Sequence, residues 1–245
     1  MKADLETKMK KSFSNSEKEI LDLIYIPIEQ VTNLVGSSVQ YCNNILVRKN
    51  ESNYFVVNDN IAEIEFPDEC ETGYIECHSR DEYERPVGAK FFIKQGDGEY
   101  KRGNTVNPSF WDILNKNDDY ESFFHRGHII ASAFGGDKKM PNTRNRGKLS
   151  QFIQTKWSNE NDYGLNPYCQ WRFEEKIKER VVTDSVCIDS RPIYRNKDDK
   201  IPIGIHLQAV TEKESLFNVF IPNIDPNIDP NIKIDYKNCT FKLNK

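Results

Sequence analysis

The sequence predicts an α+β fold: one antiparallel β-sheet with few helices. Short strand-like runs broken by turn residues fill the chain from about Thr72 onward, and only two segments carry helix signals. The longest apolar stretches, such as Leu21 to Ile28, fall far short of the roughly 20 residues a membrane helix needs. With 245 residues the chain can bury a core without staples. Hydrophobic residues make up only 37%, but the 11% aromatic content argues against disorder.

The first helix signal is Ser16 with Glu19, a capping-box spacing ahead of Ile20, Leu21, Leu23 and Ile24, and Pro27 limits its length. Strand-like runs follow at Lys90 to Lys94 and Phe123 to Ala131, with Gly96, Gly98, Gly103 and Pro108 marking turns. A long loop from Phe134 to Lys148 is punctuated by Gly135, Gly136, Pro141 and Gly147. The second helix is predicted from Asn166 as N-cap and Pro167 at the first position to about Arg180. Strand candidates come next at Val181–Tyr194, Ile203–Val210 and Leu216–Ile221. In the second, Ile203, Ile205, Leu207 and Ala209 alternate with Gly204, His206, Gln208 and Val210, the pattern of a half-buried strand. A Pro-Asn-Ile-Asp repeat starting at Pro222 excludes helix and central strand and predicts a connector, after which the chain returns through Phe241 as an edge strand. Residues 1–65, rich in Lys, Asn and Ser, are predicted as an N-terminal extension, and 66–245 as the main domain.

The net charge of −4 excludes a uniformly basic nucleic-acid-binding surface. It leaves room for a local one: Lys138, Lys139, Arg144, Arg146 and Lys148 lie close together, opposed nearby only by Asp137. Six cysteines without a CxxC pair argue against a structural zinc site and favour buried free thiols over a disulfide framework. The opening Met-Lys-Ala-Asp-Leu-Glu-Thr-Lys contains no apolar h-region or cleavage site, so no secretory signal is visible.

The segment from His125 to Glu175 carries the chemistry. It contains two of the four histidines (His125 and His128), then Gln154-Thr155-Lys156-Trp157-Ser158-Asn159, then Trp171-Arg172-Phe173-Glu174. Phosphodiester hydrolysis needs a base for water, and imidazole, with a reference pKa of about 6.5, suits that task at neutral pH. It also needs charge stabilisation at the phosphoryl group, which an Arg and a hard cation supply. Mg²⁺ keeps several waters, so one or two protein oxygens suffice to hold it.

Arg126-Gly127-His128 followed by Ile129-Ile130-Ala131 and Phe134-Gly135-Gly136 resembles the DRGH segment of the DNA/RNA non-specific endonuclease family, whose active site is a His-Me finger (ββα-metal). Gln154 with Asn159 resembles that family's metal-ligand segment, and Arg172-Phe173-Glu174 its R-L-E step. The resemblance covers roughly residues 72–236 and implies His128 as general base and Asn159 as the Mg²⁺ ligand, with Mn²⁺ as a substitute. It further implies that Glu174 holds water on the metal and that Arg126 neutralises phosphate charge. It implies DNA and RNA as substrates and, for a toxin-type nuclease, an inhibitor or immunity protein as partner. Secretion or delivery as an effector fits the same chemistry, and no membrane is implied.

The family's Asp is His125 here; Asp118, Asp119 and Glu121 are candidate substitutes. Ser150 and Ile153 stand where the family has Asn and Pro, and a second alignment would put the metal ligand at Asn142 or Asn145. The basic loop would meet the phosphate backbone, and Trp157 and Tyr163 are candidates for base stacking, although core packing is the commoner fate of such rings. The alternative function is a catalytically impaired module of this fold that binds nucleic acid or a partner protein. A zinc-dependent HNH-type nuclease is a third option, undercut by the lack of paired Cys ligands.

Overall fold

A computed structural model of the chain describes residues 17–42, 54–68, 70–78, 80–97, 100, 107–114, 116, 123–139, 149–160, 169–225 and 232–243. Two short helices come first, α1 (Glu17–Ile24) and α2 (Ile28–Val35). Ile20 and Ile24 lie one turn apart on α1 and are both fully buried. Pro27 separates the helices and sits at the N-cap position of α2. Ser16 of the capping box lies outside the described residues.

Seven strands form one antiparallel sheet in the order β1-β2-β9-β8-β7-β4-β3. They are β1 (Val39–Cys42), β2 (Tyr54–Val57), β3 (Gly73–Cys77), β4 (Ala89–Ile93), β7 (Val186–Ile193), β8 (Gly204–Val210) and β9 (Ser215–Pro222). Two strands of residues 1–65, β1 and β2, thus belong to the sheet, β2 pairing with β9 through Phe55↔Phe220 and Val56↔Val219. Ile20, Ile24, Val31 and Phe55 share a core with Phe124, Ile153 and Trp157, so the same stretch also supports the segment that carries the predicted chemistry.

Strand β8 departs from the half-buried reading: all seven of its residues are buried. Ile205, Leu207 and Ala209 enter the core with Phe173 and Ile177. The other face is covered by residues 58–66, whose backbone bonds to the sheet's polar side chains. Glu63 N–H donates to Gln208 Oε1 at 2.7 Å, and Asn218 Nδ2 donates to the Ile61 carbonyl at 2.8 Å. The polar members of the alternation therefore face chain rather than water.

Two small strand pairs complete the fold: β5 (Phe124–His128) with β6 (Gln151–Thr155), and β10 (Ile232–Asp235) with β11 (Thr240–Leu243). The predicted C-terminal strand pairs with β10 and not with the main sheet's edge; its Phe241 ring packs on Phe123 and Phe124. Short helices α3 (Trp111–Leu114), α4 (Gly136–Lys139) and α5 (Lys156–Asn159) lie in the loops, and α6 (Gln170–Val181) is the longest described helix. Helix α6 buries Gln170, Phe173, Ile177 and Val181 along one stripe and places Lys178 and Arg180 in its last turn, where cations complement the helix dipole. Because α6 runs through Val181, the strand predicted from that residue begins only at Val186. Asn166 and Pro167 lie outside the described residues, and Cys169 occupies the N-cap position of α6. All six cysteines are free thiols.

Candidate active site

β5, β6, α5 and α6 together form a ββα unit on the α6 side of the sheet. In the β5–β6 register Arg126 faces Ile153, Gly127 faces Phe152 and His128 faces Gln151. Gly127 is required by this pairing, since a Cβ there would collide with the Gln154 side chain. Phe152 packs with Phe173 and Ile177 of α6, whereas Ile153 and Phe124 enter the second core. The pair is thereby wedged between the two cores.

Its position is fixed by Asn223, which is fully buried. Asn223 Oδ1 accepts from Thr155 N–H at 2.7 Å, and Nδ2 donates to the carbonyls of Ile153 and Pro202, both at 2.9 Å. Thr155 in turn donates its hydroxyl to the Ile224 carbonyl at 2.5 Å and caps α5 by accepting from Ser158 N–H at 3.2 Å. Asn159 closes that single helical turn. The first Pro-Asn-Ile-Asp unit, predicted as a connector, is therefore a clamp on the site; Pro226–Asn231 lie outside the described residues.

A cavity of about 300 Å³ opens here, lined by His128, Asn159, Glu160, Glu174, Lys178 and Tyr100, among others. It brings together three of the residues singled out from sequence: His128, Asn159 and Glu174. Gln170, one turn before Glu174 on α6, ties two of them. Its Nε2 donates to the His128 carbonyl at 2.6 Å and to Glu174 Oε1 at 3.0 Å. Burial pushes the Glu174 carboxyl above its ordinary value, and the Gln170 hydrogen bond and the nearby His128 oppose that shift. His128 Nε2 lies 3.0 Å from Gln151 Nε2 and 3.4 Å from Asp137 Oδ2.

His125 does not line the cavity but borders it, with Nδ1 3.4 Å from Asn159 Nδ2 and 3.6 Å from Glu160 Oε1. Arg126 also stands outside the cavity lining. Its Nε donates to Asn107 Oδ1 at 2.9 Å, and its guanidinium lies 4.6 Å from the centre of the Trp111 ring. Trp157 is core, 1% exposed, and offers no stacking face. Trp171, which lines the cavity and is 38% exposed, does. Of the basic loop, Lys138 and Lys139 fall on α4, with their side chains outside the description. Arg144, Arg146, Lys148, Asn142, Asn145, Asp118, Asp119, Glu121 and Tyr163 lie outside the described residues.

Several polar residues of the site escaped the sequence reading. Gln170 had a usable signal, its i,i+4 spacing to Glu174 on a predicted helix. Glu160 and Lys178 also had one, adjacent to Asn159 and one turn beyond Glu174. Asn223 had none, lying in a repeat 64 residues after Asn159. Among the described residues no group of three or more His, Cys, Asp and Glu side chains is placed to hold a metal. The oxygens at the cavity, the Asn159 amide and the Glu174 and Glu160 carboxylates, suit a hard cation that keeps most of its water.

No family model and no curated protein matches the sequence. Solved structures do match. NucA from Streptococcus agalactiae, with magnesium ion bound, superposes with a TM-score of 0.69 at 22% identity, over 88% of this chain and 94% of that one. An extracellular endonuclease gives 0.53 at 16% identity, over 74% and 91%. An extracellular nuclease gives 0.51 at 17% identity, over 74% and 98%. The resemblance to non-specific endonucleases read from Arg126-Gly127-His128 onward thus extends to the whole architecture: the chain has the fold of NucA and of these extracellular nucleases.

Proposed function

We propose that the chain is a metal-dependent endonuclease that hydrolyses phosphodiester bonds of DNA and RNA with little sequence preference, with His128 as general base and one Mg²⁺. The observation that carries this reading is the convergence of His128, Asn159 and Glu174 on one cavity in a nuclease fold. Each comes from a different element, and each has the chemistry its role requires. The donor set fits the ion, since Asn159 offers one amide oxygen as direct ligand and Glu174 a carboxylate to hold ordered water beside it. When bound, the ion would neutralise charge on the phosphate and the leaving oxygen. NucA carries magnesium, which supports the choice of ion, and Mn²⁺ is the natural substitute.

His128 accepts the proton of the attacking water, on a backbone held by Gln170. Gln170 also holds Glu174 facing the cavity. Arg126, two residues before His128 on β5, neutralises phosphate charge from beside the cavity, and Lys178 adds a cation on its wall. Lys138, Lys139, Arg144, Arg146 and Lys148 contact the backbone of the nucleic acid without reading sequence. Because similar folds include extracellular nucleases, we place the activity outside the cell that makes the chain.

Nicking of supercoiled plasmid and degradation of RNA, each with Mg²⁺ and with excess EDTA, test this function. Cleavage of both with Mg²⁺ and none with EDTA is expected. His128→Ala should lose about 10²–10⁴-fold in rate, the usual share of general-base catalysis. Asn159→Ala should collapse turnover with only partial rescue by added Mg²⁺, whereas Asn142→Ala and Asn145→Ala should change it little. Tight binding of nucleic acid without any cleavage would overturn the reading in favour of a binding module. Loss of turnover in Asn142→Ala or Asn145→Ala but not in Asn159→Ala would move the metal ligand.

A further inference from the structure

We propose that Trp171 is the stacking platform for one nucleobase beside the scissile phosphate, so that the site favours strands whose bases are unpaired. The inference rests on the nuclease reading and deepens it by naming the form of nucleic acid that the site takes. Trp171 lines the catalytic cavity and is 38% exposed. The other two tryptophans, Trp111 and Trp157, are 2% and 1% exposed and share one core. None of the hydrophobic cores formed by the described residues includes Trp171, although Phe173 and Ile177 of the same helix enter one. A large indole left partly in water at a cavity mouth is stabilised by any ligand that brings a flat apolar face to it.

Its place on α6 sets which part of a strand it reaches. Trp171, Glu174 and Lys178 stand at i, i+3 and i+7, on one face of the helix, and all three line the cavity. At about 1.5 Å of rise per residue, the ring is about 4–5 Å along the axis from Glu174 and about 10 Å from Lys178. Stacked nucleotides repeat about every 3.4 Å along a strand. A phosphate held beside Glu174 therefore brings the base of its own or the adjoining nucleotide to the ring. Lys178 meets the backbone on the far side of Glu174.

The ring is held for that task. The Arg172 guanidinium lies over one face, 4.8 Å from the ring centre, and Trp171 stays 38% exposed with that face covered. Tyr100, which also lines the cavity, is engaged otherwise. Its ring lies against Gly135, where a Cβ would come within 3.2 Å of it, and its N–H donates to the Ala133 carbonyl at 3.0 Å. Trp171 is thus the large ring that the cavity offers to substrate. Every base has a π-face, so stacking there grips a strand without reading its sequence. Bases inside a duplex already stack on their neighbours and must be unstacked first, whereas single strands present them directly.

Fluorescence tests the contact, because the other two of the three tryptophans are buried. In the full chain with Mg²⁺, and with His128→Ala to slow cleavage, titration with single-stranded oligodeoxyadenylate should quench the emission. An abasic oligonucleotide with the same number of phosphates should not. Adding Trp171→Phe, which leaves only the two buried indoles, should abolish the quenching. In steady-state cleavage by the otherwise unaltered chain, Trp171→Ala should raise KM for a single-stranded oligonucleotide by about 5–150-fold, the loss expected for one stacked base. KM for duplex DNA and kcat should change much less, and Trp171→Phe, which keeps a ring, should restore most of the single-strand KM. Equal quenching by the abasic strand, or quenching that survives Trp171→Phe, overturns the proposal. So does a Trp171→Ala protein with an unchanged ratio of single-strand to duplex KM. A wild type that cleaves nothing yet shows base-dependent quenching would remove the nuclease function and leave Trp171 as a base platform. Cleavage by the wild type with no base-dependent quenching would do the reverse.

Discussion

Replacing Asn223 with Ala should damage both the fold and the site, and the two losses can be measured separately. The side chain is fully buried, and its three hydrogen bonds all go to backbone groups: Thr155 N–H, the Ile153 carbonyl and the Pro202 carbonyl. Alanine leaves these without that partner and without water. An orphaned buried polar group costs about 1–3 kcal/mol, least for a carbonyl that keeps another partner, so the sum is about 3–5 kcal/mol. Domains hold only about 5–15 kcal/mol in total, so the variant should fold but be markedly weakened. At about 2–4 °C per kcal/mol for a chain of this size, Tm should fall by roughly 6–20 °C in calorimetry. The loss in the site follows from Thr155, which Asn223 holds and which caps the turn that ends at Asn159. With that turn released, turnover of the folded protein at 25 °C should fall by about 10–100-fold, the scale of losing an outer support of a metal ligand. Asn223→Asp keeps the acceptor for Thr155 N–H but sets a carboxylate oxygen against two carbonyls, so it should do no better. An Asn223→Ala protein with wild-type Tm would refute the accounting. One with lowered Tm but wild-type turnover would show that the clamp supports the fold and not Asn159.

Two further predictions concern pH. His206 is buried against Asn218 Oδ1 at 2.7 Å, and burial holds its imidazole below the ordinary value. The unfolded chain therefore binds more protons below about pH 6.5, so stability should fall on acidification from there toward the depressed folded value. The urea midpoint should show this slope between pH 7 and 5, and His206→Gln should flatten it; an equal slope in both proteins would exclude His206 as its source. Glu174 has its carboxyl raised by burial, so if the charged form is the working one, activity should be lost as pH falls through that raised value. A cation bound nearby favours the charged form, so raising Mg²⁺ should move this acid limb to lower pH, and Glu174→Gln should abolish the movement. An acid limb indifferent to Mg²⁺ in the wild type would contradict the proposed role.

What could be read from sequence, and what could not, divides along a physical line. His128, Asn159 and Glu174 could be singled out because each sits in a local pattern of residue types, and the cavity brings all three together. Strand β8 was legible as an alternation, yet its burial was not, because the cover on its polar face comes from residues 58–66, about 145 positions away. A period-two pattern reports that the two faces of a strand differ, not that one of them meets water. The same distance hides Asn223, whose amide reads from sequence as a turn residue among prolines and acts in three dimensions as the joint between β6 and the end of β9. Asp137 is the intermediate case. It was visible as the one acid near a basic loop, and surface charge was the only meaning its neighbours could supply. Its approach to within 3.4 Å of His128 depends on the reversal at Gly135-Gly136, which folds the loop back onto the strand it has just left. Residues that perform chemistry are constrained by the reaction and repeat its grammar, whereas residues that hold them are constrained only by the backbone groups left to satisfy. For this chain, the positions hardest to foresee are therefore the ones whose substitution should separate a folded protein from a working one.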